Sequence, residues 1–136
     1  MRYLLDTNIV IAAMKGRAAV VARLERTPST DLLLSAVVLG ELAFGAEKSA
    51  YAERNRARLA ELAERLPLVP VDAATSRCYG HIRSWLEQRG TPIGANDTWI
   101  AAQALALGAI LVTDNIGEFS RVPDLKVENW LERREE

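Results

Sequence analysis

Four short apolar runs, each too brief for a helix, punctuate this chain: Arg2–Asp6, Leu32–Leu34, Leu68–Val71 and Ala109–Thr113. Longer stretches with helical spacing separate them. A parallel strand pair needs a crossover long enough to hold a helix, so this alternation predicts an α/β fold around a mainly parallel sheet. At 136 residues, one domain spanning 1–136 is expected.

Local signals set the boundaries. Thr7 to Lys15 carries Ile9, Ala12 and Ala13 on one side, and Gly16 suits its end. Arg17 to Arg26 is a second helical piece, stopped near Pro28. Ser35 is a candidate N-cap for a helix from Ala36 to Lys48. Tyr51 to Leu66 is amphipathic and ends at Pro67, and Pro70 marks Leu68–Val71 as an edge strand or a strand end. Asp72 caps a long helix to about Arg89, and Gly90 to Gly94 is a loop. Asn96 to Leu107 is an Ala-rich helix closed by Gly108. Asp114 to Ser120 reads as a turn with one helical turn, Lys126 to Glu128 as a last edge strand, and Glu132 to Glu136 as a solvated tail.

Composition excludes several chemistries. Apolar residues at 49% and charged residues at 26% describe a globular chain, not a disordered one. The single cysteine, Cys78, permits no internal disulfide and no Cys/His zinc cluster, and it is expected as a small core residue. The single histidine, His81, rules out a two-His acid–base scheme and is expected on the surface or in a groove. Phosphate-binding Gly-rich loops and a nucleophile elbow are absent from the sequence. Leu4 to Met14 is interrupted by Asp6 and Asn8 and is too short to span a membrane, so a cytoplasmic location is expected. The net charge of −1 argues against bulk electrostatic binding of nucleic acid. Lys48 to Arg89 holds eight basic against five acidic residues, a flank that suits phosphate contacts as well as an ordinary helix surface.

The acids at the ends of elements carry most of the chemical information. In an open parallel sheet, ligands bind beyond the carboxyl ends of the strands. Asp6 ends the first strand, Asp114 and Asn115 follow the strand Ala109–Thr113, and Asp97 begins the helix feeding that strand. Glu41 follows the second strand by about two helical turns and shares a face with Val38, Leu42 and Gly45. Each acid also has an ordinary role: Asp6 as a cap, Asp97 as a helix N-terminal acid, Asp114 as a turn residue. Glu41 resists that treatment, because a carboxylate on an apolar stripe is costly without a compensating cation or donors. Gly40 and Gly45 lower helix propensity nearby, and close approach of another element would explain them. Several carboxylates drawn together need a cation. An all-oxygen set suits Mg²⁺, with Mn²⁺ able to substitute, and points to metal-assisted phosphodiester hydrolysis.

Four segments hold these acids: Leu4-Leu-Asp-Thr-Asn-Ile9, Gly40-Glu-Leu-Ala-Phe-Gly-Ala-Glu-Lys-Ser49, Thr91-Pro-Ile-Gly-Ala-Asn-Asp-Thr-Trp-Ile-Ala-Ala102 and Leu111-Val-Thr-Asp-Asn-Ile-Gly-Glu-Phe119. In these four blocks, in this order, the chain resembles the PIN-domain family, and specifically the VapC-type ribonuclease toxins of bacterial toxin–antitoxin pairs. The resemblance spans essentially the whole chain. It implies a PIN-like three-layer α/β/α sandwich with a mainly parallel central sheet, and a Mg²⁺-dependent endoribonuclease in which Asp6 and Asp97 are the principal metal ligands and Glu41 completes the acidic set. Thr7, Asn8 and Thr113 are implied as neighbours that orient ligands or phosphate. At the fourth acidic position the register favours Asn115 and charge favours Asp114. The products implied carry a 5′-phosphate and a 3′-hydroxyl, and the substrates are structured RNAs, often tRNA.

Lys48, Arg54, Arg83 and Arg89 are candidates for RNA backbone contacts, with solvated helix charges as the alternative. Trp85 and Trp99 suit core or interface better than base stacking. The partners implied are a homodimer mate and a VapB-type antitoxin, with operator DNA bound only through the antitoxin. A signalling receiver fits poorly, since Thr7 and Asn8 follow Asp6 where an acidic doublet would mark the motif. A haloacid dehalogenase phosphatase needs a second acid at position 8, which is Asn. A PIN nuclease of general RNA processing and a non-catalytic PIN-like scaffold remain as alternatives.

Overall fold

The computed structural model describes residues 1–131. The tail expected at Glu132–Glu136 lies outside the described residues. Five strands form one sheet: β1 (Tyr3–Leu5), β2 (Leu32–Ser35), β3 (Leu68–Val69), β4 (Ile110–Val112) and β5 (Val127–Glu128). Their order is β3-β2-β1-β4-β5, and every pairing is parallel. The central strands are buried on both faces, which is why they read as unbroken apolar runs. The expected mainly parallel sheet is wholly parallel among the described residues. Pro70 ends β3 at one edge, and β5 forms the other.

Among the described residues, seven helices flank the sheet: α1 (Thr7–Met14), α2 (Ala18–Arg26), α3 (Ala36–Lys48), α4 (Ala52–Arg65), α5 (Ala73–Gln88), α6 (Ala95–Leu107) and α7 (Ile116–Phe119). A 3₁₀ turn at Ser29–Asp31, not anticipated, leads into β2. The caps follow the sequence signals. Asp6 accepts from the Thr7 N–H, Ser35 from those of Val37 and Val38, and Asp72 from that of Thr75. Gly108 ends α6 at φ +64, the left-handed conformation that favours glycine.

Leu4, Ile9, Leu34, Val38, Ile100, Leu111 and Phe119 are inaccessible to solvent and form the centre of the core. α6 is buried nearly all round, with Ile100, Ala101, Ala102 and Ala104 enclosed. Trp130 seals the β5 end, its ring 5.2 Å from that of Tyr3 and under the Arg23 guanidinium at 4.7 Å. Cys78 is only half-buried, packed against the core from α5 rather than inside it. Among the described residues, no helix is long and apolar enough to cross a membrane.

One polar side chain ties three elements together. Gln103, fully buried on α6, accepts from the Ser35 hydroxyl and donates to the carbonyls of Val69 at 3.1 Å and Pro70 at 3.2 Å. It therefore joins β2, the end of β3 and the start of α3. Replacing it with the similarly sized Leu strands the buried Ser35 hydroxyl. Gln103→Leu should cost about 1–3 kcal/mol and lower the thermal midpoint by several degrees, read by circular dichroism.

Candidate active site

The sheet order reverses between β1 and β4, and their carboxyl ends open the crevice where an α/β fold places its ligand. Asp6 leaves β1 and Thr113 leaves β4 at this point. Asp6 is buried, with only 4% exposed. Its Oδ1 accepts from the Thr7 N–H at 2.8 Å. Its Oδ2 accepts from the Thr113 hydroxyl at 2.7 Å and from Asn8 Nδ2 at 3.3 Å. Capping and site membership are thus one arrangement. Burial raises the Asp6 carboxyl above its ordinary range despite these donors, and the charge of Asp114 adds to the rise.

Glu41 approaches from α3. Val38 and Leu42 on its face are buried while Glu41 is half-buried. Its Oε1 is enclosed and has no hydrogen-bond partner among the described residues, and neither has the Thr7 hydroxyl nearby. Burial raises its carboxyl, Thr7 opposes the rise, and the charge of Asp6 adds to it. The explanation expected for Gly40 and Gly45 fails: a Cβ at either would meet nothing within 4 Å. No neighbour crowds them; Gly45 instead forms part of the wall of an open groove. That groove, about 350 Å³, starts at Thr7 and Glu41 and runs between α1, α3 and α4 to Ser49 and Asn55.

Asp97 sits in the first turn of α6, where the helix dipole favours an acid. Its neighbours outweigh that. Burial, then the hydrogen-bonded carboxyl of Glu118, then the charges of Asp6 and Glu41 push it up to about 7. Glu118 is the member that sequence reasoning missed. It lies on α7, its Oε1 accepting from the Gly94 N–H at 3.1 Å and its Oε2 from Asn115 Nδ2 at 2.6 Å. Burial alone would raise Glu118, but Gly94, Asn115, Asp97 and the charge of Arg121 lower it. The available signal was the i, i+3 spacing from Asn115 in the fourth block.

The other candidates divide cleanly. Thr113 is wholly buried and accepts from the Asn115 N–H at 3.0 Å while donating to Asp6. Asn8 Oδ1 accepts from the Asp114 N–H at 3.3 Å. Asp114 is exposed at the rim, while the Asn115 amide is turned to Glu118. Arg83 is paired with Glu87 at 2.9 Å, and Arg89 lies over Trp85 at 3.5 Å. Lys48 and Arg54 face the rings of Phe44 and Tyr51. Trp99 stacks on Tyr79 at 3.8 Å, and His81 is exposed.

A PIN domain model matches residues 3–125. The chain is 38% identical over 131 residues to "Ribonuclease VapC2" of Haemophilus influenzae, covering 96% of this chain and 99% of that protein. It is also 38% identical to "tRNA(fMet)-specific endonuclease VapC" of Shigella flexneri, over 96% and 98% of the two chains. The chain belongs to the PIN-domain family of VapC ribonucleases. Its fold superposes on VapBC2 of Rickettsia felis, crystallised with a DNA fragment from its promoter. The TM-score is 0.89 and the identity 40%, over 96% of this chain and 99% of that one. This VapC-type chain is accordingly a ribonuclease.

Do these residues suit a divalent metal ion? Among the described residues, no three His, Cys, Asp or Glu side chains already converge on one point at ligand distance. The donor set nonetheless fits a hard cation. It is all oxygen, it includes an enclosed Glu41 oxygen without a partner among the described residues, and the charge of Asp6 raises Glu41 while those of Asp6 and Glu41 raise Asp97. The sign of the pH effect follows. A raised folded pKa on Asp97 means stability present in acid is lost as pH rises from about 4 towards 7. Asp97→Asn, which keeps a donor toward Glu118, should raise the thermal midpoint at pH 8 by roughly 2–5 °C, allowing for solvent screening, and by less at pH 5. Adding Mg²⁺ should stabilise the parent chain and leave the variant nearly unmoved, in the same scanning-fluorimetry series.

Proposed function

We propose that this chain, as one domain over 1–136, is a Mg²⁺-dependent endoribonuclease acting as the toxin of a VapBC-type pair in the cytoplasm. The observation that carries the metal-dependent reading is the mutual charge of the site: Asp97 is driven to about 7 by burial, Glu118, Asp6 and Glu41. Asp6, Asp97, Glu41 and Glu118 would hold the ion, with Mn²⁺ able to substitute. When bound, such an ion supplies Lewis acidity toward a phosphoryl oxygen and toward water.

The remaining work falls to the chain. Thr113 and Asn8 hold Oδ2 of Asp6 and the Thr7 N–H holds its Oδ1, and Asn115 with the Gly94 N–H fixes Glu118. Thr7 stands beside Glu41, and Asp114 adds negative charge at the rim. A base at this site accepts the proton of the attacking water, and the leaving 3′-oxygen takes one from solvent, giving 5′-phosphate and 3′-hydroxyl ends.

The substrate proposed is a structured RNA cut in an exposed loop; the Shigella flexneri relative, called tRNA(fMet)-specific, makes tRNA the first to try. The Rickettsia felis complex supports a VapB-type antitoxin as partner, with operator DNA reached through the antitoxin. A homodimer of this chain is part of the proposal.

Antitoxin-free protein incubated with labelled tRNA should cut it in Mg²⁺ and not in EDTA. Asp6→Ala and Asp97→Ala should each lower the rate by more than about 100-fold, beyond the range seen for residues that only support ligands. Thr113→Val and Asn115→Ala should cost about 10–100-fold, much of it recoverable at high Mg²⁺. Cutting that survives Asp6→Ala assigns the activity elsewhere.

A further inference from the structure

Two exposed aromatic side chains stand beside the groove that leaves the carboxylates. Phe44 is 64% and Tyr51 68% exposed, and the other large exposed apolar side chains among the described residues are aliphatic. Each carries a cation on its ring: Lys48 Nζ lies 4.9 Å from the centre of Phe44, and the Arg54 guanidinium 5.7 Å from that of Tyr51. Neither cation has a carboxylate partner among the described residues, whereas Arg56 is held by Glu47 and Arg83 by Glu87.

Both aromatics are fixed relative to the site. Phe44 precedes groove-lining Gly45 and follows Glu41 by three residues of α3, about 4.5 Å along the axis. The Tyr51 N–H donates to Ser49 Oγ at 3.0 Å, and Asn55 donates to the same oxygen at 2.8 Å, both Ser49 and Asn55 lining the groove. The Arg56–Glu47 pair at 2.6 Å braces the same turn between α3 and α4. The backbone beneath both rings is thus anchored, and the rings themselves are open to solvent.

An exposed ring with an unpaired cation at its edge suits an unpaired nucleobase whose phosphate meets that cation. A wholly apolar partner would cover the rings while leaving Lys48 and Arg54 uncompensated. A duplex offers neither ring a free base face. We infer that Phe44 and Tyr51 are base-stacking residues that seat unpaired RNA nucleotides next to the scissile phosphate, with Lys48 and Arg54 on the adjoining phosphates. This rests on the ribonuclease reading of the carboxylate site and adds its substrate-positioning surface.

Binding can be read separately from cutting. Fluorescence anisotropy of a labelled single-stranded RNA oligonucleotide, in EDTA, measures the platform alone. Phe44→Ala and Tyr51→Ala should each weaken binding roughly tenfold, while Phe44→Trp and Tyr51→Phe keep it. In Mg²⁺ the alanine variants should raise KM with kcat nearly intact, and all should melt with the parent chain. Unchanged binding in both alanine variants overturns the inference. So does light scattering that shows a dimer split by Phe44→Ala, or loss of VapB capture with RNA binding intact, since the patch then belongs to a protein interface. Failure of the ribonuclease reading looks different: RNA uncut by the parent chain, or cut equally by Asp6→Ala, whatever the anisotropy.

Discussion

The Thr113 hydroxyl is fully enclosed, donates to Asp6 Oδ2 at 2.7 Å and accepts from the Asn115 N–H at 3.0 Å. That one oxygen joins the carboxyl ends of β1 and β4 across the reversal of strand order. The Asp6 N–H, donating to the Val112 carbonyl at 2.9 Å, makes the backbone counterpart. Four site residues hang from this joint: Asp6 directly, Asn8 and Asp114 through the Asn8 amide, and Glu118 through Asn115. A buried polar network of this kind is costly when partly satisfied and rigid when complete. Here it is complete except at Thr7 and Glu41, on the side that opens to the groove.

Most of the fold was legible because its signals are local. Ser35, Asp72 and Gly108 act as expected because capping depends on a few adjacent backbone groups. Leu32–Ser35 and Ile110–Val112 read as strands because burial on both faces leaves no polar alternation to confuse. What the sequence hid is tertiary. Gln103 reads as an interruption of an apolar helix, and only packing against β2 and β3 gives it three partners. Cys78 lies at the margin of the core because α5 turns that face partly outward.

The site was legible in its outline. Asp6, Glu41 and Asp97 are far apart along the chain, yet the charge of Asp6 bears on Glu41 and those of both bear on Asp97, while no three described acidic side chains converge at ligand distance. Gly40 and Gly45 show the limit of composition arguments. Small residues in a helix mark either a close neighbour or a space, and sequence does not distinguish them. Here the space is a groove beginning at Glu41, which places the least satisfied carboxylate at the point where a ligand enters.

Asn115 and Glu118 are best understood together. A carboxylate at 115 would face Glu118 at the distance where the Asn115 amide now donates, 2.6 Å, and would set a further like charge beside Asp97. An amide there does the reverse, its hydrogen bond favouring Glu118 as the anion. The negative charge missing from position 115 is thus supplied one turn later on α7, by a side chain long enough to reach back to Gly94. Neutral Asn115 and acidic Glu118 form one device. Position-by-position reading of the fourth block, by register or by charge, was bound to separate them.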